Sequence, residues 1–213
     1  MIATLIGSTG LTGSALLRRL LIEPAITKVI SVSRKPLSIS NSKLTQVLVS
    51  SLVELPSIHS DILGELYFCC LGRTIKNAGS KENFEKVDHD AVVRFARIAK
   101  AHDATSLALI SAMGANANSM FFYNQVKGRT ENDLKGLGLR SLIIFRPALL
   151  VGPRHEFRLA ERIASKTLVP LSRILPIRIR KRLITEAEVL AARMLQEGIA
   201  APGGVHVVEA KDI

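Results

Sequence analysis

Tryptophan is absent from the 213 residues, tyrosine and cysteine occur twice each, and aromatic side chains make up 4% of the chain. A surface for single-stranded nucleic acid needs stacking aromatics along a basic groove, so none is expected. The cysteines, Cys69 and Cys70, are neighbours in an apolar run. On a strand they point to opposite faces and read as buried thiols, a poor fit to a disulfide or a metal pair. His59, His89, His102, His155 and His206 show no metal-ligand spacing, and no metal is expected. No apolar stretch nears the roughly 18 residues of a membrane span. An apolar strand pattern begins at residue 2, which leaves no room for a secretory signal. The expectation is a cytoplasmic protein without a membrane partner.

Glycine, in contrast, is concentrated at one informative place. Gly7-Ser8-Thr9-Gly10-Leu11-Thr12-Gly13 follows the apolar run Ile2 to Ile6 and leads into a stretch from Ser14 to Leu21 whose apolar residues can form a helix face. Strand, glycine turn and helix together hold a dinucleotide. Glycines let the backbone turn tightly and approach a pyrophosphate, and the helix N-terminus offers free N–H groups and a favourable dipole. The spacing is GxxGxxG, and no lysine occurs between Met1 and Lys28, so the phosphate loop of an NTPase does not fit. All seven residues are candidate cofactor contacts.

A second absence sharpens the choice of cofactor. NAD-binding folds usually carry an acid after the second strand, about 20 residues past the glycines, to grip the ribose 2′-hydroxyl. Here no Asp or Glu occurs between Glu23 and Glu54, and Ser33-Arg34-Lys35 closes the second strand pattern. Guanidinium and ammonium at Arg34 and Lys35 suit a 2′-phosphate. NADP(H) is expected.

Apolar, β-branched runs at Ile2 to Ile6, Lys28 to Ser33, Gln46 to Ser50, Leu66 to Leu71, Leu107 to Ser111, Leu139 to Phe145 and Val205 to Glu209 read as strands. Between them, Lys81 to His102 carries an apolar stripe at Phe84, Val87, Ala91, Phe95, Ile98 and Ala99, and Phe122 to Lys135 forms another helical pattern. Thr185 and Glu188 fit a capping box for a helix through about Gln196, stopping near Gly198. Alternating strands and helices predict an α/β fold, a Rossmann-type doubly wound parallel sheet of about seven strands in one domain over 1–213.

Tyr123 and Lys127 lie four residues apart, on one face at the start of the helix after the fifth strand. A nearby ammonium favours the phenolate, so the pair can move a proton, and the lysine can also hold a ribose. With these features in this order, the chain resembles the atypical branch of the short-chain dehydrogenase/reductases. More narrowly, Phe68-Cys69-Cys70-Leu71-Gly72, Val87-Asp88-His89-Asp90, Tyr123 with Gln125-Val126-Lys127-Gly128, and Phe145-Arg146-Pro147 resemble the oxidoreductase family of the Tat-interacting protein. The resemblance runs from Met1 to about Arg158. It implies a Rossmann fold, NADPH as cofactor, Tyr123 as proton donor or acceptor with Lys127 as partner, and cofactor contacts at Ser8, Thr9, Gly10, Arg34, Leu71, Leu150 and Arg158. Gly72, Arg146 and Pro147 belong to the shared motifs and join the cofactor candidates. Relatives often carry consecutive serines after the fifth strand, one of which orients the substrate carbonyl; in Ile110-Ser111-Ala112-Met113-Gly114, Ser111 takes that place.

The formal charge is +11, and the stretch from Pro153 to Arg182 holds nine Lys or Arg against two acids. This basic stretch, over 152–182, is expected to form a small, mainly helical cover on the substrate side, favouring an anionic small molecule. The expected activity is NADPH-dependent reduction of a small carbonyl compound. A different class is an NADPH-sensing regulator that binds a protein partner without turnover. Direct binding of nucleic acid or anionic lipid through the basic stretch ranks last.

Overall fold

The computed structural model describes residues 1–53, 55, 61–152 and 183–213. Strands β1 (Ile2–Ile6), β2 (Lys28–Ser33), β3 (Leu44–Leu48), β4 (Leu66–Cys69), β5 (Ser106–Ile110), β6 (Ser141–Arg146) and β9 (Gly204–Glu209) form one sheet in the order β3-β2-β1-β4-β5-β6-β9. Every pairing is parallel. The expected fold and strand number hold, with bounds shifted by one or two residues. The sequence pattern did not reveal the short parallel pair β7 (Leu149–Val151) and β8 (Ile184–Glu186) beside the main sheet.

Both faces of the sheet are covered, which is why the central strands read as continuous apolar runs. On one face Leu5, Phe68, Ile110 and Phe145 pack with Leu16 and Leu20 of α1 (Leu11–Ile22) and with Leu190 and Met194 of the helix Ala187–Ala200. On the other, Ile6, Val32, Tyr67, Cys69 and Leu109 meet Val92, Phe95 and Ala99. Cys69 and Cys70 are free thiols packed toward opposite faces. The order reverses between β1 and β4, so the chain leaves a crevice beyond their carboxyl ends, where open α/β sheets bind ligands.

Two helix expectations need correction. The stretch from Lys81 is not one helix: α2 (Ile75–Ala78) and α3 (Lys81–Glu85) precede a π-helical turn, Lys86–Asp90, before α4 (Ala91–Ala101). After α5 (Phe122–Gly136), the last helix is α6 (Ala187–Ala200), and its N-terminus is not a capping box. Thr185 lies in β8 and its hydroxyl accepts the Ala148 N–H, while Glu188 pairs with Arg18 and Arg19 of α1. Nor does Gly198 stop α6. It packs the helix against the buried Phe68 ring, where a Cβ would come within 2.6 Å, and its carbonyl accepts from Ser106 Oγ at 2.7 Å.

Candidate functional site

The glycine loop is built by contacts that exclude side chains. Gly7 has φ +86°, and a Cβ there would lie 2.6 Å from the Cys70 carbonyl; one on Gly13 would lie 2.0 Å from the Gly7 oxygen. The loop therefore sits tight between β1, β4 and α1, with Gly10 N–H donating to Gly7 O at 3.0 Å. Ser31 Oγ donates to Ser8 Oγ at 2.8 Å and anchors it to β2. At the start of α1, Gly10 supplies no side-chain cap and the first turn holds no acid. The Thr12 hydroxyl is buried with no partner among the described residues. A helix start of this kind leaves N–H donors for an anion.

The loop forms the wall of a cleft of about 280 Å³ lined by Gly7, Ser8, Thr9 and Gly10, by Ser33, Arg34 and Lys35 after β2, and by Leu52, Cys70, Leu71, Gly72, Arg73 and Val87. Among the described residues, the cations Arg34, Lys35 and Arg73 line it and no acid does. Beneath Gly72 lies a buried ion pair. An idealised Cβ on Gly72 would be 3.8 Å from both Asp88 Oδ1 and Lys127 Nζ, which are themselves 2.8 Å apart and almost completely buried. Asp88 comes from the π-helical turn and is fully buried; such turns often mark functional sites. Its other oxygen accepts the Arg73 N–H at 3.1 Å. Thr130 Oγ1 ties that turn to α5 by donating to the Asp88 carbonyl at 3.1 Å.

Tyr123, one turn before Lys127 on α5, packs its ring on Phe84, with centroids 5.4 Å apart. Burial alone would lower the Lys127 pKa, but Asp88 and Tyr123 outweigh it and hold the ammonium above the ordinary lysine value. At β4, burial pushes the Cys69 thiol up to about 12, so it is a neutral neighbour.

Ser111 is placed elsewhere. Its hydroxyl donates to Glu131 Oε1 at 2.6 Å, two turns along α5 from Tyr123, so the structure does not engage it with the phenol. Arg146, read from sequence as a cofactor contact, also serves Glu131: its Nε and Nη2 donate to the carboxylate at 3.0 and 2.6 Å, and Nη1 to Glu209 at 3.0 Å. The Pro147 carbonyl accepts the Met113 N–H, and Leu150 packs against the core around α1. Among the described residues, Arg146, Pro147 and Leu150 stand outside the glycine cleft, while Leu71 and Gly72 line it. Leu11, Thr12 and Gly13 form the helix start behind the loop. Arg158, and the cover expected over 152–182 beyond Gly152, lie outside the described residues. Sequence reasoning passed over Asp88 as a site residue, although one signal was available: Phe84, Asp88, Ala91 and Phe95 recur at heptad-like spacing, so the acid falls on the buried face.

No family model matches the chain. It is 36% identical over 174 residues to protein fmp52, mitochondrial, of Emericella nidulans, covering 75% of this chain and 71% of that one. To the protein of the same name from Aspergillus fumigatus it is 34% identical over 94% of this chain and 88% of that one. Among solved structures, MoeE5 in complex with UDP-glucose and NAD superposes with a TM-score of 0.74 at 14% identity, over 98% of this chain and 75% of that one. An oxidoreductase of the short-chain dehydrogenase/reductase family from Burkholderia thailandensis gives 0.72 at 14% identity, over 99% and 92%. The fold is thus that of the short-chain dehydrogenase/reductases. The cytoplasmic expectation is overturned, because the curated relatives are mitochondrial by name.

Proposed function

This chain belongs to the Fmp52 family, and we propose that it is an oxidoreductase that binds NADP(H) and reduces a small carbonyl compound, with Tyr123 and Lys127 handling the proton. The observation that carries this reading is one cleft joining the glycine loop to Gly72, directly over the buried Lys127–Asp88 pair. The residues fit the cofactor: a cradle that a Cβ would fill, an uncapped helix start and an orphaned Thr12 hydroxyl suit a pyrophosphate. Ser8, Thr9 and Gly10 would hold it. Arg34 and Lys35, with no acid beside them among the described residues of the cleft, would take a 2′-phosphate.

When bound, the reduced nicotinamide supplies the hydride. Tyr123 gives its proton to the carbonyl oxygen, yielding the alcohol, and Lys127 orients the phenol and a ribose hydroxyl. Ser111 enters this reading as a support of α5 through Glu131. The net charge of the basic stretch after Gly152 favours an anionic substrate. Tyr123→Phe should lower turnover by about 10²–10⁴-fold and leave NADP(H) binding, read as a thermal shift, nearly intact. Unchanged turnover on an identified substrate would sink the assignment.

The capture of Ser111 by Glu131 favours one other reading, a regulator that senses NADPH and changes its grip on a protein partner. It requires partner affinity that depends on cofactor, together with no NADPH oxidation over a broad carbonyl panel.

A further inference from the structure

Arg18, Arg19, Arg129, Arg140, Arg146 and Arg193 each face a carboxylate in a salt bridge. The two arginines that line the glycine cleft, Arg34 and Arg73, meet no acid among the described residues. They come from different sides of it. Val32 of β2 and Cys69 of β4 are both in register with Ile6 of β1, so the strand ends that lead to Arg34 and Arg73 are two strand spacings apart, about 9–10 Å. In a dinucleotide fold the adenosine ribose meets the end of the second strand, and the other nucleotide lies across the switch point. Arg34 and Lys35 belong to the adenosine end. Arg73 stands at the end where the hydride is delivered.

The backbone of Arg73 is held from both sides. Its N–H donates to Asp88 Oδ2 at 3.1 Å, and Oδ1 of the same carboxylate meets Lys127 Nζ at 2.8 Å. The next residue, Thr74, caps α2 by accepting the Asn77 N–H at 3.1 Å. One buried acid thus sets both the lysine of the proton-transfer pair and the main chain from which the arginine projects. Arg73 is partly buried, and a guanidinium without an acid offers a planar fork of donors that matches a carboxylate or a phosphate. The cofactor's own anions are met elsewhere, at the glycine loop and at Arg34 with Lys35. We infer that Arg73 binds an oxyanion of the substrate, a carboxylate or phosphate carried close to the reacting carbonyl, and so selects anionic carbonyl compounds over neutral ones. This deepens the reductase reading and rests on it. The net charge after Gly152 attracts anions from a distance. Arg73 fixes one beside the Lys127–Asp88 pair.

Calorimetric titration of the full chain saturated with NADP⁺ tests the inference with three probes. Oxamate carries a carboxylate next to an amide carbonyl, phosphonoacetamide carries a phosphonate near one, and oxamide is neutral. The unaltered chain should bind at least one of the two anions about tenfold or more tightly than oxamide. Arg73→Met should weaken that anion by about tenfold or more, the factor expected for a hydrogen bond to a charged group. NADPH affinity, followed by fluorescence, should change less than about twofold, which also reports that the cleft is folded. Arg73→Lys keeps the charge and loses the fork, so its affinity should fall between the two. The preferred anion distinguishes a carboxylate substrate from a phosphorylated one. No anion binding by the unaltered chain, or equal anion affinity in Arg73→Met, overturns the inference. A loss of NADPH affinity as large as the loss for the anion also overturns it, since Arg73 would then be a cofactor contact. Turnover is not read, so a failure of the Tyr123→Phe test and a failure here are separate results.

Discussion

Replacing Glu131 by Ala tests how the helix that carries Tyr123 and Lys127 is held. The carboxylate is 1% exposed and accepts from Arg146 at 3.0 and 2.6 Å and from Ser111 at 2.6 Å. Removing it strands the Ser111 hydroxyl and leaves Arg146 with Glu209 alone. Breaking a buried ion pair by deleting one partner costs about 3–5 kcal/mol. The Arg146 side chain is 22% exposed, so water can reach part of it, and the lower end, about 3 kcal/mol, applies. For a chain of this size each kcal/mol is about 2–4 °C in Tm, giving a fall of roughly 6–12 °C. Glu209, 42% exposed, makes the control: Glu209→Ala should cost under about 1 kcal/mol. The double change Glu131→Ala with Arg146→Met should cost less than the two singles added, since both break one network. Urea denaturation followed by circular dichroism measures all four. Equal losses for Glu131→Ala and Glu209→Ala, or strict additivity of the double, would refute the network.

The glycine loop gives a contrast between two small substitutions. Gly13→Ala puts a methyl 2.0 Å from the Gly7 oxygen and should weaken NADP(H) binding at least tenfold by thermal shift, whereas Gly136→Ala, which meets nothing within 4 Å, should leave it unchanged. Replacing Arg34 and Lys35 together by Ala should reduce NADPH affinity tenfold or more and leave NADH affinity nearly as it was, measured by fluorescence titration; equal losses would argue against a 2′-phosphate contact. Stability should fall in alkali. Burial pushes Cys69 up to about 12 and raises Cys70 and Tyr67 too, so the folded chain keeps protons that the unfolded chain loses from about pH 8.5–10. The urea midpoint should drop as pH rises from about 8.5, and Cys69→Ala should flatten that slope; a slope unchanged by the substitution would contradict it.

Much of this fold is legible in the chain because a sheet covered on both faces demands uninterrupted apolar strands, and Ile2–Ile6, Lys28–Ser33 and Ser141–Arg146 are written that way. Gly7 and Gly13 are legible for a related reason: their positions forbid a Cβ. What stays hidden depends on contacts distant in sequence. The stripe from Phe84 to Ala99 suits an unbroken helix, and the π-helical turn at Lys86–Asp90, with the contacts of Asp88 to the Arg73 N–H and to Thr130 of α5, is not written in it. Thr185 has the right neighbours for a capping box, but Ala148 claims its hydroxyl. Ser111 follows the strand where a carbonyl-orienting serine belongs. Its engagement by Glu131 depends on a register between β5 and α5 that no local pattern states.

Among the described residues, the strand β9 lies at one edge of the sheet, paired with β6, and it is the last strand of that sheet in chain order. Through Glu209 it touches Arg146, and through Arg146 the carboxylate that steadies α5. A change at this outer edge is therefore felt inside the molecule: loss of the Glu209 carboxylate frees one arm of the guanidinium that grips Glu131, so the edge strand acts as an outrigger for the helix that carries Tyr123 and Lys127.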